Sequence, residues 1–465
     1  MKCWFAPAIF CFSLASTLVF ANDITIRGFV TAVNSPTSFA IDDYKITRDR
    51  KASVDLDKQP GAHFPATFKP EDIRIGTELE VSGDYDEASG ELKAKSIKVF
   101  SYDNIDIKRT ALLEKLPSLA KDGSGWSGMI YADGQRITVS PSTTVSLKPN
   151  HEEWKNAVKA DNSEASKFSP DFVNLDTFVL YEGERQADGS VQAQKVEFEH
   201  AEVEPIDVKM WRRFAPTVID PDFANFQPGE LRMQWRTYKI IPSREAQDYI
   251  AGLGNRLIPA HQKELPDGDP LKIRFRFFLV DDKLFNAATY PNGVVIVHSG
   301  VFDLLQNEAQ LAFVLSHEIS HAIERHAWQQ REYFRNELLA LRARGVYVPG
   351  ALLEGNLRAS GYSSQYARSL ENQADRIGLE WMLAAGYDVR EAPQSWKAVS
   401  EKMQDSTMNP FWASHENYTA RRSYLTAELR NHYSDVDYSH LKRDSGEFHR
   451  VADIIGQYES KKQNR

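Results

Sequence analysis

The chain has 465 residues, 42% of them hydrophobic and 26% charged, so it is long enough for several domains and too apolar for wholesale disorder. Its 56 Lys and Arg residues face 65 Asp and Glu residues, a net charge of −9 that leaves no basic excess to hold a nucleic-acid backbone. The two cysteines, Cys3 and Cys11, exclude a disulfide scaffold and a thiolate zinc site.

Residues 1–21 read as a signal peptide. Lys2 supplies the positive start, an apolar run follows, and Val19-Phe20-Ala21 offers a small-residue cleavage site. The expected mature chain starts at Asn22, is exported to the periplasm or secreted, and carries no thiol, so any metal must be held by nitrogen and oxygen. No later stretch reaches the ~18 apolar residues of a membrane span.

From Asn22 to Glu204 the sequence alternates apolar and polar residues, as strands do. A pattern recurs after about 100 residues. Gly28 matches Gly128 and Ala32 matches Ala132. Pro70–Thr77 matches Pro170–Thr177, Gly83 matches Gly183, and Gly90 matches Gly189 after a one-residue slip. This predicts tandem all-β small barrels over 22–104 and 105–204; the alternative is one long antiparallel sheet with coincidental turns. The barrels suit a docking module or a spacer. His63, His151 and His200 stand alone in this region and suggest no chemistry.

Four prolines between 205 and 229 mark a connector. Residues 230–429 then read as an α+β domain, with strands expected at Leu271–Val280 and Gly293–His298, and 430–465 as a tail. The chemistry concentrates in His317-Glu318-Ile319-Ser320-His321, an HExxH pattern. On a helix, residues i and i+4 share a face about 6 Å apart along the axis, so two imidazoles converge on one zinc ion. Glu318 stands beside them, in reach of a water. Asn307 is placed to cap this helix, with Gln310 at the capping-box position. A third ligand is required. The HExxHxxGxxH class is excluded, since Glu324 and Ala327 occupy its Gly and last His positions. A second helix, Ser364–Gly386, carries Glu371 and Asp375 on one face. Glu371 can ligate the metal and Asp375 can orient an imidazole. His326, five residues past His321 and about 140° away on the helix, is not expected to bind zinc, and His298 is expected to be structural.

The motif His317–His321 with Glu371-Asn-Gln-Ala-Asp375-Arg376 resembles the gluzincin metallopeptidase family that includes HtpX, BepA and the CAAX prenyl endopeptidases. Asn286-Ala287, Pro291–Gly300, Ala384–Asp388 and Ser414-His415 with Arg421 resemble further segments of that family, over Gly229–Leu429 in all. Glu416 stands where the family usually has proline, and neither the family's transmembrane helices nor its C-terminal helical repeats are found. The resemblance implies a soluble, zincin-type metalloendopeptidase with one Zn2+ per chain held by His317, His321 and Glu371, and with Glu318 as general base. His415 and Arg421 are the candidate oxyanion donors, His415 having a fourth zinc ligand as its other reading. Asn286, Ala287 and Val295 are the candidate substrate contacts, Val294–Val297 being read as an edge strand that pairs with an extended peptide, with an ordinary core strand as the other reading. The implied substrates are proteins or peptides, among them misfolded envelope proteins. The competing function is a periplasmic chaperone or binding factor whose β-repeats dock partners. Arg342–Tyr362, between the two ligand helices, is a candidate mobile loop.

Overall fold

Two β-rich stretches open the chain, and their alternation shows in the strand Glu78–Asp86, where Leu79 and Val81 are buried while Glu78, Glu80 and Ser82 lie on the other face. The first sheet holds β1 (Asn22–Phe29), β2 (Ala32–Ser35), β3 (Ser38–Ile41), β4 (Tyr44–Leu56), β5 (Glu78–Asp86) and β6 (Glu91–Ser101). The second holds β7 (Ile107–Asp122), β8 (Gly125–Ala132), β9 (Gln135–Val139), β10 (Thr144–Lys148), β11 (Thr177–Arg185) and β12 (Val191–His200). The structure is a computed structural model that describes residues 22–57, 68–101, 107–148, 168–174, 177–200, 229–232, 237–269, 271–330, 343, 365–403 and 418–463. The expected signal peptide and connector, His415 and almost all of Arg342–Tyr362 lie outside them.

The sheets are separate and share a connectivity. In each, the first strand pairs antiparallel with the fifth, the fifth pairs antiparallel with the last, and the last runs parallel to an earlier strand, β4 or β10. Both ladders break register at an equivalent glycine, Gly83 and Gly183. A Cβ there would lie 2.0 Å from the Lys93 carbonyl oxygen or 2.3 Å from that of Gln192, so only glycine lets the strands close. The Pro70 and Pro170 turns also correspond. The match of Gly28 to Gly128 does not survive. Gly28 lies on β1, paired with β5, whereas Gly128 lies on β8, paired with β7 and β9. Insertions in the first half of the second unit shift its numbering, which a fixed offset cannot follow.

The rest is α+β. A three-stranded sheet has the order β15 (Arg276–Val280), β17 (Val294–His298), β16 (Ala287–Thr289), and β13 (Glu230–Arg232) with β14 (Thr237–Lys239) lies beside β15. Against it pack α1 (Arg244–Leu257) and α3 (Glu308–Ile323), with α2 (Ala260–Glu264) leading back to the sheet. Then follow α4 (Gln365–Ala384), α5 (Ala392–Met403), α6 (Tyr418–His432) and α7 (Gly446–Gln463). Residues 430–463 of the expected tail are built into this unit. Phe448, Val451 and Ile455 of α7 join the main core, and Asp444 and the Arg443 carbonyl accept the free amides of Glu308 and Ala309 at the start of α3.

Both sheets are seated on the helices. Phe29 of β1 lies edge-on to Tyr424 of α6 at 5.0 Å, and Arg422 of α6 pairs with Asp42 and Asp43 in the β3–β4 turn. Arg185 of β11 forks onto Glu380 of α4 at 2.7 and 3.0 Å. Among the described residues no helix is long and apolar enough to cross a membrane.

Gly183→Ala should destabilise the second sheet by about 1–3 kcal/mol through the clash with Gln192. Urea unfolding followed by tryptophan fluorescence would show a transition at lower denaturant; an unchanged midpoint would contradict the close approach of the strands there.

Candidate metal centre

The centre rests on α3, which is buried on every side; His321 is its one residue outside that class. Such a helix cannot leave its first amides bare. Asn307 caps it, its Oδ1 accepting the Gln310 amide at 3.0 Å, and both side chains donate to Glu391 Oε2 at 2.8 Å. α4 lies against α3 and is closed after Ala384 by Gly386 (φ 84), where the amides of Gly386 and Tyr387 donate to the carbonyls of Leu383 and Met382 in a Schellman motif.

The two helices bring the three expected donors together. His317 Nε2 is 3.0 Å from His321 Nε2 and 3.5 Å from Glu371 Oε2, and His321 Nε2 is 3.7 Å from Glu371 Oε1. They are the one His, Cys, Asp and Glu group among the described residues whose ligand atoms all lie within 4.8 Å of one another. Tetrahedral ligands about 2.05 Å from zinc stand ~3.3 Å apart, so this two-nitrogen, one-oxygen set fits zinc without rearrangement. His321 is the open side, 18% exposed against 2% for His317.

Behind the donors lies a buried charge network. Asp375 Oδ1 is 3.0 Å from His317 Nδ1, which holds a proton on Nδ1 and leaves Nε2 as the atom turned to the other two donors. Arg421 holds Asp375 with both arms, Nε to Oδ2 at 2.9 Å and Nη2 to Oδ1 at 2.5 Å, and its Nη1 is 3.3 Å from Glu371 Oε2. The guanidinium lies 3.9 Å from the centre of the Trp396 ring. Burial would raise the Asp375 pKa, but the Arg421 charge and the bonds from His317 and Arg421 prevail and hold it below the ordinary range. Arg421, expected as an oxyanion donor, is 1% exposed with its polar edge turned onto carboxylates. It is buried against the donors, its Nη2 also 3.3 Å from His317 Nε2, and not at the exposed His321 side.

His326 also differs from expectation. The helical-wheel angle assumed that α3 continues, but α3 ends at Ile323 and Arg325 adopts the left-handed region (φ 57). That conformation costs a non-glycine residue about 1–3 kcal/mol. It swings His326 back, so that its Nδ1 meets His321 Nδ1 at 2.8 Å and its Nε2 meets Gln373 Oε1 at 3.1 Å. Burial lowers the His326 pKa to about 4 against the hydrogen bond that its Nε2 donates to Gln373, which leaves the ring neutral. Gln373 Nε2 in turn donates to Asp133 Oδ1 at 2.8 Å, on a turn of the second sheet. Nothing local in the sequence marks Trp396, Gln373 or Asp133 as neighbours of the motif.

The edge-strand reading of Val294–Val297 is overturned. β17 is the central strand, paired on both sides, and Val295 is fully buried in the core, so neither is open to a substrate. Among the described residues the open edge belongs to β16, which packs on α3 and begins at Ala287. Asn286 and Ala287 are buried at its start, the Asn286 carbonyl accepting the His298 amide at 3.0 Å. His298 is buried beneath them, its Nδ1 3.3 Å from Asp282.

Residues 247–429 match the model of peptidase family M48, and residues 27–98 that of a domain of unknown function (DUF5666). The beta-barrel assembly-enhancing protease of Escherichia coli (strain K12) is 31% identical over 170 residues, 34% of this chain and 32% of that protein. The putative beta-barrel assembly-enhancing protease of Vibrio cholerae is 29% identical over 194 residues, 39% and 38% of the two chains. The human mitochondrial metalloendopeptidase OMA1 is 27% identical over 168 residues, 33% and 32%. The aligned region thus spans 38% or less of the length of these relatives. The match takes in both helices that carry the donors, so residues 247–429 of the chain are similar to peptidase family M48.

Proposed function

We propose that the chain is a zinc-dependent endopeptidase that acts in envelope protein quality control, after export to the periplasm, on misfolded or misassembled proteins. The observation that carries the chemistry is the convergence of His317, His321 and Glu371 beside Glu318. The names of the relatives support the setting, through beta-barrel assembly and mitochondrial proteolysis. On this reading 1–21 is a signal peptide, 22–104 and 105–204 are tandem small barrels, 205–229 is a linker, and the zincin-type peptidase unit begins near 230.

When bound, one zinc ion per chain would supply the Lewis acidity that activates a water and polarises the scissile carbonyl. Glu318 takes the proton of that water and returns it to the departing amine. Glu318 is 6% exposed, next to the first ligand, which is the position this role requires. Asp375 keeps the His317 proton on Nδ1, and Arg421 keeps Asp375 ionised and both carboxylates aimed, which makes both positioning residues. The edge of β16 is where an extended substrate would add as a further strand. Oxyanion stabilisation then falls to His415, outside the described residues, or to backbone amides near β16. An intact general base has no purpose in a chaperone that does not cleave, so proteolysis is favoured over the binding-factor reading.

Three outcomes follow. Glu318→Gln should retain zinc and fold yet lose cleavage of casein by about 1000-fold or more; a variant that cleaves like the wild type overturns the assignment. Arg421→Met leaves Asp375 buried beside no cation, so the metal-free protein should lose roughly 3 kcal/mol of stability. Differential scanning calorimetry checks this, and an unchanged melting profile with reduced kcat would restore the oxyanion role. The third concerns pH. Burial and the Arg421 charge lower the His317 pKa, but hydrogen bonds to Asp375 and Glu371 outweigh them and raise it to about 9 without metal. A ligand imidazole must be unprotonated. Metal uptake near neutrality therefore expels this proton, and apparent affinity should rise about tenfold per pH unit until about pH 9. Calorimetry in buffers of different ionisation enthalpy should show the released proton; proton-free uptake would contradict the site.

A further inference from the structure

The second sheet reaches the metal centre through one turn. Asp133 and Gly134 link β8 to β9 with φ of 60 and 69, the left-handed pair of a tight hairpin. The turn is pressed onto α4, since a Cβ on Gly134 would lie 2.9 Å from the Ile377 side chain. Asp133 is fully buried there. It accepts from Tyr181 Oη at 2.7 Å, from Gln373 Nε2 at 2.8 Å and from Arg376 Nη2. Gln373 and Arg376 belong to α4, the helix of Glu371.

A carboxylate beside an arginine can only accept, and this sets the direction of every bond beyond it. Gln373 must turn its NH2 to Asp133, which leaves Oε1 toward His326 Nε2 at 3.1 Å. Oε1 only accepts, so His326 carries its proton on Nε2 and has a lone pair on Nδ1. That lone pair faces His321 Nδ1 at 2.8 Å, so the His321 proton sits on Nδ1. His321 Nε2 is then a bare lone pair directed at His317 and Glu371. Reversing any step would place a proton on His321 Nε2 and block ligation.

We propose that Asp133 is a positioning residue of the metal centre, fixing the tautomer of His321 from the second β-sheet through Gln373 and His326. It does for His321 what Asp375 does for His317. The ligand site is then shared between the two units. The sheet is part of the metal centre and not a detachable docking module, which gives it a role that no motif in its own sequence announces. The inference rests on the zinc reading above.

The test uses the full chain. Gln373→Met is close to isosteric, cuts both bonds of the relay, and leaves Asp133 with Arg376 and Tyr181. Zinc affinity is measured by competition with a chromophoric chelator, and ring protonation by 15N NMR of histidine-labelled protein. Gln373→Met should bind zinc about 10–100-fold more weakly than the wild type, while the metal-free variant stays folded with a melting temperature lowered by the unpaired His326 proton. In the zinc-loaded wild type, His326 should be protonated on Nε2 and His321 on Nδ1. Equal zinc affinity of the two proteins would overturn the proposal. So would His326 protonated on Nδ1, which the wild-type spectrum decides even where the variant does not fold. A wild-type chain that takes up no zinc would instead overturn the zinc reading itself.

Discussion

The centre depends on how closely two buried helices approach. Gly378 of α4 is the point of contact: a Cβ there would lie 3.2 Å from the Phe313 ring and 3.3 Å from the His317 amide nitrogen. Glycine inside a helix costs about 1 kcal/mol relative to alanine. It is retained where a larger residue would push Glu371 away from the imidazoles. Ser320 Oγ, directed to the Ala374 carbonyl at 3.5 Å, marks the same contact one turn along. With the axes this close, i and i+4 spacing on α3 and one carboxylate on α4 suffice to gather three donors within ligand distance.

Holding these helices so close inside a core calls for partners at their buried termini and charges. The cap residues Asn307 and Gln310 share Glu391, the segment before α7 covers the first amides of α3, and Arg421 neutralises the carboxylates behind the ligands. The same demand explains the β-sheets. Their turns present aspartates to arginines on the helices that carry the site, Asp42 and Asp43 to Arg422 on α6, and Asp133 to Arg376 on α4. Charge pairing at the seam between units thus ties the sheets to the geometry of the centre.

Much of the centre was legible in the sequence because it is local. HExxH needs only helical periodicity, Asn307 announces the start of its helix, and Gly386 announces the end of α4. Glu371 and Asp375 are one turn apart on one helix. What was not legible is what requires the chain to fold back. His326 was misplaced because nothing in the sequence signals that Arg325 takes a left-handed conformation. β17 was read as an edge because its neighbours, β15 and β16, cannot be ordered from hydrophobicity alone. Arg421 is identifiable as a residue of interest, yet its partner Asp375 and the Trp396 ring decide which way it faces. Asp133 looks like any Asp-Gly hairpin turn until the second sheet is set against α4. The β-repeat was found from its glycines, but Gly83 and Gly183 occupy equivalent positions and Gly28 and Gly128 do not, since strand lengths differ between the units.

The most direct test of the account is the coordination of the metal itself. Zinc-edge X-ray absorption, with metal analysis of the purified chain, should give one zinc per chain bound by two imidazole nitrogens and one carboxylate oxygen at about 2.0–2.2 Å, with Glu371→Ala losing the oxygen and most of the metal. A chain that binds no zinc, or a Glu371→Ala variant whose spectrum is unchanged, would contradict it.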